Sequence, residues 1–317
     1  MTISTASFEY VSQLVKRETS MLYEPGKEYL VEARLTPLAR AAGCADVDAY
    51  VSRLAGSLVE RRKTLDALTI NETSWFRDNA PYQVFTDHML PQLIAARSTT
   101  RHLNIWSAAC SSGQEAYSLT MLLDQHLPPG WSASILATDV STAMLERVQA
   151  GRYGQVEMNR GMPAAQLVRY FSRVGTEWEV KPELKRMVRT QHLNLAAPFP
   201  PMPVFDVVFL RNVLIYFDLP TKRDILRRTR AVVAPDAFLL LGSSETTLDM
   251  DTPWSREPVG RVAVHRPLPT GVTSAAQLRA VPPAGTPAAA PTSSFPASPT
   301  STPTITPTAT RTALTGA

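Results

Sequence analysis

Two short stretches of this chain combine residue types that could hold a nucleoside. One is the turn Ala108-Ala109-Cys110-Ser111-Ser112-Gly113-Gln114-Glu115, set between an apolar run and a helical pattern. Its small residues let the backbone come close to a ligand, and Gly113 can take a turn conformation that disfavours a side chain. The string is not GxGxxG and has no Walker lysine, so it suits a ligand without phosphates, or else an ordinary tight strand-to-helix turn. The other is Asp139, which ends the run Ser134-Ile135-Leu136-Ala137-Thr138-Asp139. A carboxylate there can accept hydrogen bonds from the ribose hydroxyls of an adenosine, or it can cap the helix that follows. With the small-residue turn one crossover earlier, the ribose role is the better reading. On these residues alone the cofactor stays open among nicotinamide, flavin and S-adenosylmethionine.

Other chemistries find little support. Cys44 and Cys110 stand far apart with no CxxC spacing, and the five histidines are scattered with no HExxH. Neither a disulfide scaffold nor a metal site is expected.

The elements that must position these residues alternate. Strands are predicted from about His102 to Ser107, over Ser134–Asp139, Phe205–Leu210 and Ala237–Leu241, and a short one over Arg261–Val264. Helices are predicted over 81–96, Gln114–His126, Ser141–Ala150 and Leu219–Ala234. Such alternation implies βαβ crossovers and a largely parallel sheet covered on both faces, with ligands beyond the carboxyl ends of its strands. The first 70 residues carry no strand signal. Phe8, Val11, Leu14 and Val15 fall at helical spacing behind Ser7 as a candidate cap. A second helix spans Lys27 to Ala42, with Pro37 expected to kink or split it and Gly43 to stop it. Two more cover 46–55, capped by Asp46, and 57–68. The expected organisation is a helical domain over 1–70, a linker over 71–80, an α/β domain over 81–267 and a tail over 268–317.

A hydrophobic share of 44% suits a globular body. The tail is rich in Pro, Thr, Ala and Ser and is expected to be disordered. The net charge of +4 includes Arg279 and Arg311 of that tail, which has no acidic residue. What remains is too small to suggest a nucleic-acid binder. Arg61-Arg62-Lys63 and Arg227-Arg228 with Arg230 read as solvated helix faces. No run of about 18 apolar residues and no signal peptide is present, so a cytoplasmic protein without membrane insertion is expected.

The segment Leu68-Thr69-Ile70-Asn71-Glu72-Thr73-Ser74-Trp75-Phe76-Arg77-Asp78 resembles the NETxFFR signature of the chemotaxis receptor methyltransferases, the CheR family. Three further segments agree in order. Trp106 to Ser118 is similar to WSAACSTGEEPYS, Ala137-Thr138-Asp139-Val140 to ATDI, and Phe209-Leu210-Arg211-Asn212-Val213-Leu214-Ile215-Tyr216-Phe217 to FCRNVLIYF. The resemblance covers about residues 8–265. Trp75, Gln114, Ala116 and Leu210 depart from the common Phe, Glu, Pro and Cys, and none of these removes a group assigned to chemistry.

The resemblance implies a Rossmann-like S-adenosylmethionine-dependent methyltransferase domain behind a small all-α domain. It implies cofactor contacts from Asn71, Thr73, Arg77, Glu115, Asp139, Asn194, Leu195, Arg211 and Asn212, with Asn194 and Leu195 supplied by His192-Leu193-Asn194-Leu195. Arg77 and Tyr216 would orient the substrate. That substrate would be a glutamate carboxylate on a chemoreceptor, leaving a methyl ester and S-adenosylhomocysteine. The helical domain would help dock the receptor, with Arg53, Arg61, Arg62 and Lys63 as candidates. A reduced antiparallel β subdomain is expected at about 170–192, without the glycine-rich hairpin of relatives that bind a receptor's C-terminal pentapeptide. The enzyme is expected to be a pentapeptide-independent monomer. Nucleic-acid methylation is the weaker reading, because Arg211-Asn212-Val213-Leu214 stands where an Asn/Asp-Pro-Pro-aromatic tetrad would. A receptor-binding scaffold without turnover is disfavoured by retention of Arg77, Glu115, Asp139 and Tyr216.

Overall fold

The computed structural model describes residues 3–248, 250–269 and 271–273; beyond them the expectation of a disordered tail falls outside the described residues. Four helices open the chain: α1 (Thr5–Thr19), α2 (Glu28–Ala41), α3 (Val47–Leu54) and α4 (Leu58–Leu68). The cap of α1 is Ser4 rather than Ser7, its hydroxyl accepting from the Ser7 N–H. Ser4 is itself held by Asp48, to which its backbone N–H and its hydroxyl both donate. Pro37 neither splits nor ends α2. Val31, Leu35 and Ala39 are buried on both sides of it, and that packing outweighs the one lost backbone bond. Asp46 caps α3 as expected, accepting from the Ala49 N–H at 2.8 Å.

The region 81–96 is not one regular helix. α5 (Ala80–Val84) passes through a π turn over Phe85–Met89 into α6 (Leu90–Ala96). Pro91 has no N–H to give to the preceding turn, and the wider turn absorbs that loss. The alternating part follows as β1 (His102–Ala108), α7 (Gln114–His126), β2 (Ser132–Asp139), α8 (Thr142–Ala150) and β3 (Arg152–Tyr153). Next come α9 (Gln155–Met158), α10 (Ala164–Tyr170), β4 (Phe171–Val174), β5 (Glu177–Val180), α11 (Pro182–Lys185) and β6 (Val188–His192). The chain continues through β7 (Phe205–Leu210), a 3-10 turn over Leu214–Tyr216, α12 (Leu219–Ala231), β8 (Val233–Leu241), β9 (Trp254–Val259) and β10 (Val262–Pro267).

One sheet runs β6-β2-β1-β7-β8-β10-β9, and a small one runs β3-β5-β4. The first five strands of the large sheet are parallel, while β10 is antiparallel to both β8 and β9. This is the α/β fold that the alternation predicts. Two details differ. Val188–His192 pairs with β2 in the large sheet, so the small β subdomain draws on 152–153 and 171–180 and does not extend to 192. β9 carries no clear strand signal in the sequence, because Pro258 and exposed polar residues mask an edge strand.

β7 is buried along its whole length and sorts its side chains between two cores. Val208 and Leu210 join Trp106 and the helical domain's Phe8, Leu14 and Leu35 in one cluster. Val207 and Phe209 join Phe85, Met89 and Leu119 in the other. The all-α domain therefore packs on one face of the sheet, and the π-turn helix with α7 covers the opposite face.

Candidate functional site

β1 is flanked by β2 on one side and β7 on the other, so the crossovers leave in opposite directions and open a crevice at the strand ends. The backbone there is unusual. Ala109 (φ 58°), Ser111 (φ 50°) and Gly113 (φ 96°) all lie in the left-handed region within five residues. Such strain persists only where the surroundings fix it. Gly113 has little room for a side chain: a Cβ would lie 3.0 Å from both the Tyr153 hydroxyl and Val148.

The crevice is lined by residues that include Asn71, Thr73, Arg77, Glu115, Asp139, Asn194, Leu195, Arg211, Asn212 and Tyr216. All ten residues singled out from the motifs thus meet in one place. Thr19 and Met21 from the end of α1, and Thr69 after α4, complete the wall on the helical side. No motif pointed to Thr19 or Met21, whose only signal is adjacency in space.

Asp139 is buried at the end of β2. Its carboxylate accepts from the N–H groups of Ser111 at 2.8 Å and Ser141 at 2.9 Å. Burial pushes its pKa up, and these backbone donors oppose the shift. It does not cap α8, because the Ser141 hydroxyl accepts from Met144 there. Glu115 accepts from the Ser107 hydroxyl at 2.8 Å and from Arg211 at 3.3 Å. Burial raises its pKa as well, against the Arg211 charge. The Arg211 guanidinium also donates to Asp78 at 2.7 Å and to the Arg77 carbonyl at 3.0 Å. It stands in the wall as a brace between β7, α7 and the linker.

Within the linker, Phe76, Asp78 and Asn79 have positive φ, a second strained segment. Trp75, in place of the common Phe, is buried edge-on against Tyr153 and Phe171. Its backbone N–H donates to the Arg160 carbonyl at 3.0 Å. A Cβ on Gly161 would collide with the Trp75 carbonyl, so glycine permits this close approach. Arg77 donates to the Glu72 carbonyl at 2.8 Å. Burial raises the Tyr216 phenol, with the positive charges of Arg77 and Arg34 pulling the other way. The Asn194 amide donates to the Glu18 carbonyl at 2.7 Å, joining the strand end to α1.

The candidate docking cations are largely committed within the helical domain. Arg53 donates to the Ala42 carbonyl beyond α2, and Arg61 to the Leu54 and Ala55 carbonyls at the end of α3. Both complement the negative end of a helix. Lys63 pairs with Glu60, and Arg62 donates to Thr142 of α8.

A largely parallel sheet with a buried acid ending its second strand and a strained small-residue turn after its first is the arrangement of a nucleoside-binding α/β domain, and the family match makes it an S-adenosylmethionine-dependent methyltransferase. Residues 71–259 match the family described as CheR methyltransferase, SAM binding domain, and residues 6–69 match CheR methyltransferase, all-alpha domain. The chain belongs to the CheR methyltransferase family. It is 40% identical over 256 residues to chemotaxis protein methyltransferase 1 of Pseudomonas aeruginosa, covering 77% of this chain and 92% of that one. Chemotaxis protein methyltransferase Cher2 of Pseudomonas putida is 37% identical, with 77% and 92% covered. The chemotaxis protein methyltransferase of Escherichia coli is 34% identical, with 77% and 86% covered. Among the described residues no group of three or more His, Cys, Asp or Glu is placed to hold a metal ion, and no helix is long and apolar enough to cross a membrane.

Proposed function

We propose that this chain methylates glutamate side chains on the cytoplasmic domains of chemoreceptors, forming glutamate methyl esters and S-adenosylhomocysteine. The observation that carries this reading is the convergence of residues from the linker, β1–α7, β2, β6 and β7 on one cleft. Its residues suit S-adenosylmethionine: Asp139 has acceptor capacity for the ribose, and Val140 and Leu195 are apolar surfaces for the adenine. Arg77 and Glu115 are opposite charges for the amino-acid end. Bound there, the cofactor supplies an electrophilic methyl on a positively charged sulfur.

The substrate carboxylate needs no general base, because a glutamate of ordinary pKa, about 4.3, is already ionised at neutral pH. Alignment is what the protein adds. The phenol of Tyr216, kept protonated by its raised pKa, donates one hydrogen bond to one carboxylate oxygen while the other attacks. Arg77 influences both Glu115 and Tyr216, which fits a residue between cofactor and substrate. A cleft closed to water favours a reaction in which a cation and an anion neutralise each other.

The small sheet supports independence from a C-terminal receptor pentapeptide. β4 and β5 have four residues each and are joined by Gly175-Thr176 alone. The enzyme acts as a cytoplasmic monomer in this reading. The test is transfer of labelled methyl from S-adenosylmethionine to a receptor cytoplasmic domain. Alkali-labile label on glutamate is expected, and absence of label across a panel of receptors would sink the proposal. An NWETF-type peptide should show no saturable binding in calorimetry, and a tight complex would overturn the pentapeptide claim.

A further inference from the structure

Glu245 lies in the turn after β8, outside every motif and outside the cleft lining. Its carboxylate is nonetheless the most heavily engaged acceptor near the site. One oxygen accepts from the N–H groups of Val213 at 2.8 Å and Leu214 at 2.6 Å. The other accepts from Asn212 at 2.8 Å and Gly242 at 2.6 Å. Asn212 is left-handed at φ 59°, which turns successive N–H groups toward one point and makes a concave anion seat. Four backbone N–H groups thus converge on the partly exposed Glu245 carboxylate.

The seat leads directly to the reacting end of the cleft. The Tyr216 N–H donates to the Val213 carbonyl at 3.2 Å, and Phe217 to Leu214 at 3.1 Å. Only this 3-10 turn separates the amides held by Glu245 from the Tyr216 phenol. Gly242 keeps the two turns in contact, since a Cβ there would come within 2.6 Å of the Asn212 side-chain amide. We propose that Glu245 is a positioning residue for methyl transfer, fixing the Asn212–Tyr216 loop from behind; this rests on the function proposed above. A glutamine could offer only one acceptor oxygen, leaving backbone donors facing its own NH₂ group. Of the cofactor residues only Asn212 stands on this loop, held by Glu245 through its backbone N–H, while those on β2, β6 and the linker would be untouched, so loss should fall more on turnover than on cofactor binding.

The experiment uses the full chain with Glu245→Gln, Glu245→Asp and Glu245→Ala. For Glu245→Gln, kcat on a receptor domain should fall about 10- to 100-fold, the cost expected of a misplaced reacting group, with the cofactor Kd within about threefold. Hydrogen exchange at the amides of Asn212, Val213 and Leu214 should accelerate while core protection is retained. Glu245→Asp should recover part of the lost turnover, and acetate should do so for Glu245→Ala. Unchanged turnover or unchanged exchange in Glu245→Gln overturns the inference. So does a fall in turnover matched by lost cofactor binding and global loss of protection. If the wild-type chain methylates no receptor, the substrate reading fails, and the amide exchange decides the role of Glu245 by itself.

Discussion

Arg211 reaches Asp78 across 2.7 Å and so ties the end of β7 to the strained linker in front of it. On its other side stands Glu115 at 3.3 Å, and the Arg211 side chain is only 1% exposed. Arg211 is a brace because its own charge has almost no water to fall back on and its inner partner Glu115 is only 12% exposed.

Removing one partner should therefore cost more than the pair contributes. Arg211→Met is expected to destabilise the chain by about 3–5 kcal/mol, because Glu115 is left buried and unpaired. Adding Glu115→Gln to that variant should restore part of the loss. Urea midpoints of the two variants check this; a single-variant loss near the cost of an exposed pair, about 1 kcal/mol or less, would contradict the brace.

Asp139→Asn should weaken S-adenosylmethionine binding about 10- to 100-fold, as expected for losing hydrogen bonds to a charged group. Titration calorimetry is the measurement. An unaltered affinity would remove the ribose role and leave Asp139 as a brace for the Ser111 and Ser141 amides.

Tyr216→Phe and Arg77→Ala should separate substrate orientation from cofactor binding. The first is expected to lower kcat with the cofactor Kd unchanged, the second to lower kcat and raise that Kd. If Tyr216→Phe turns over like the wild type, the phenol does not orient the carboxylate.

His265 on β10 predicts an acid-side signature in stability. It is buried, and desolvation lowers its pKa to about 4 against a weak opposing contact with the Leu239 backbone. The unfolded chain takes up a proton near pH 6.5 that the folded chain refuses. Its contribution is thus complete above pH 6.5 and is lost as pH falls toward 4, by about 3 kcal/mol in total. The raised carboxyls of Glu115 and Asp139 slope the other way, so the comparison needed is wild type minus His265→Phe. A difference that stays flat between pH 7 and 4 would refute the assignment.

The residues legible in the sequence are those whose signal is local. Asp139 ends an apolar run, Gly113 sits in a string of small residues, and Asn71 to Arg77 form one contiguous motif. Thr19 and Met21 reach the cleft only because α1 packs beside the Asn194 turn, a contact made through the Glu18 carbonyl. Glu245 acts on amides more than thirty positions away in sequence, and backbone donors leave no trace in residue type. Similar logic explains Ser4: its partner Asp48 belongs to the next-but-one helix. Pro37 misled because local propensity was outweighed by a buried face.

Thr19, Met21 and Thr69 give the cleft a wall that the methyltransferase sheet does not build for itself. A helical domain exchanged between two relatives would arrive with a different Met21 neighbourhood, and the change would be felt as altered cofactor affinity before any receptor was met. Under the proposed cofactor role of the cleft, the two halves would share one inheritance: a substitution drifting into one would be screened by the ligand held by the other, and shuffling them as independent modules would be penalised at the first step of the reaction.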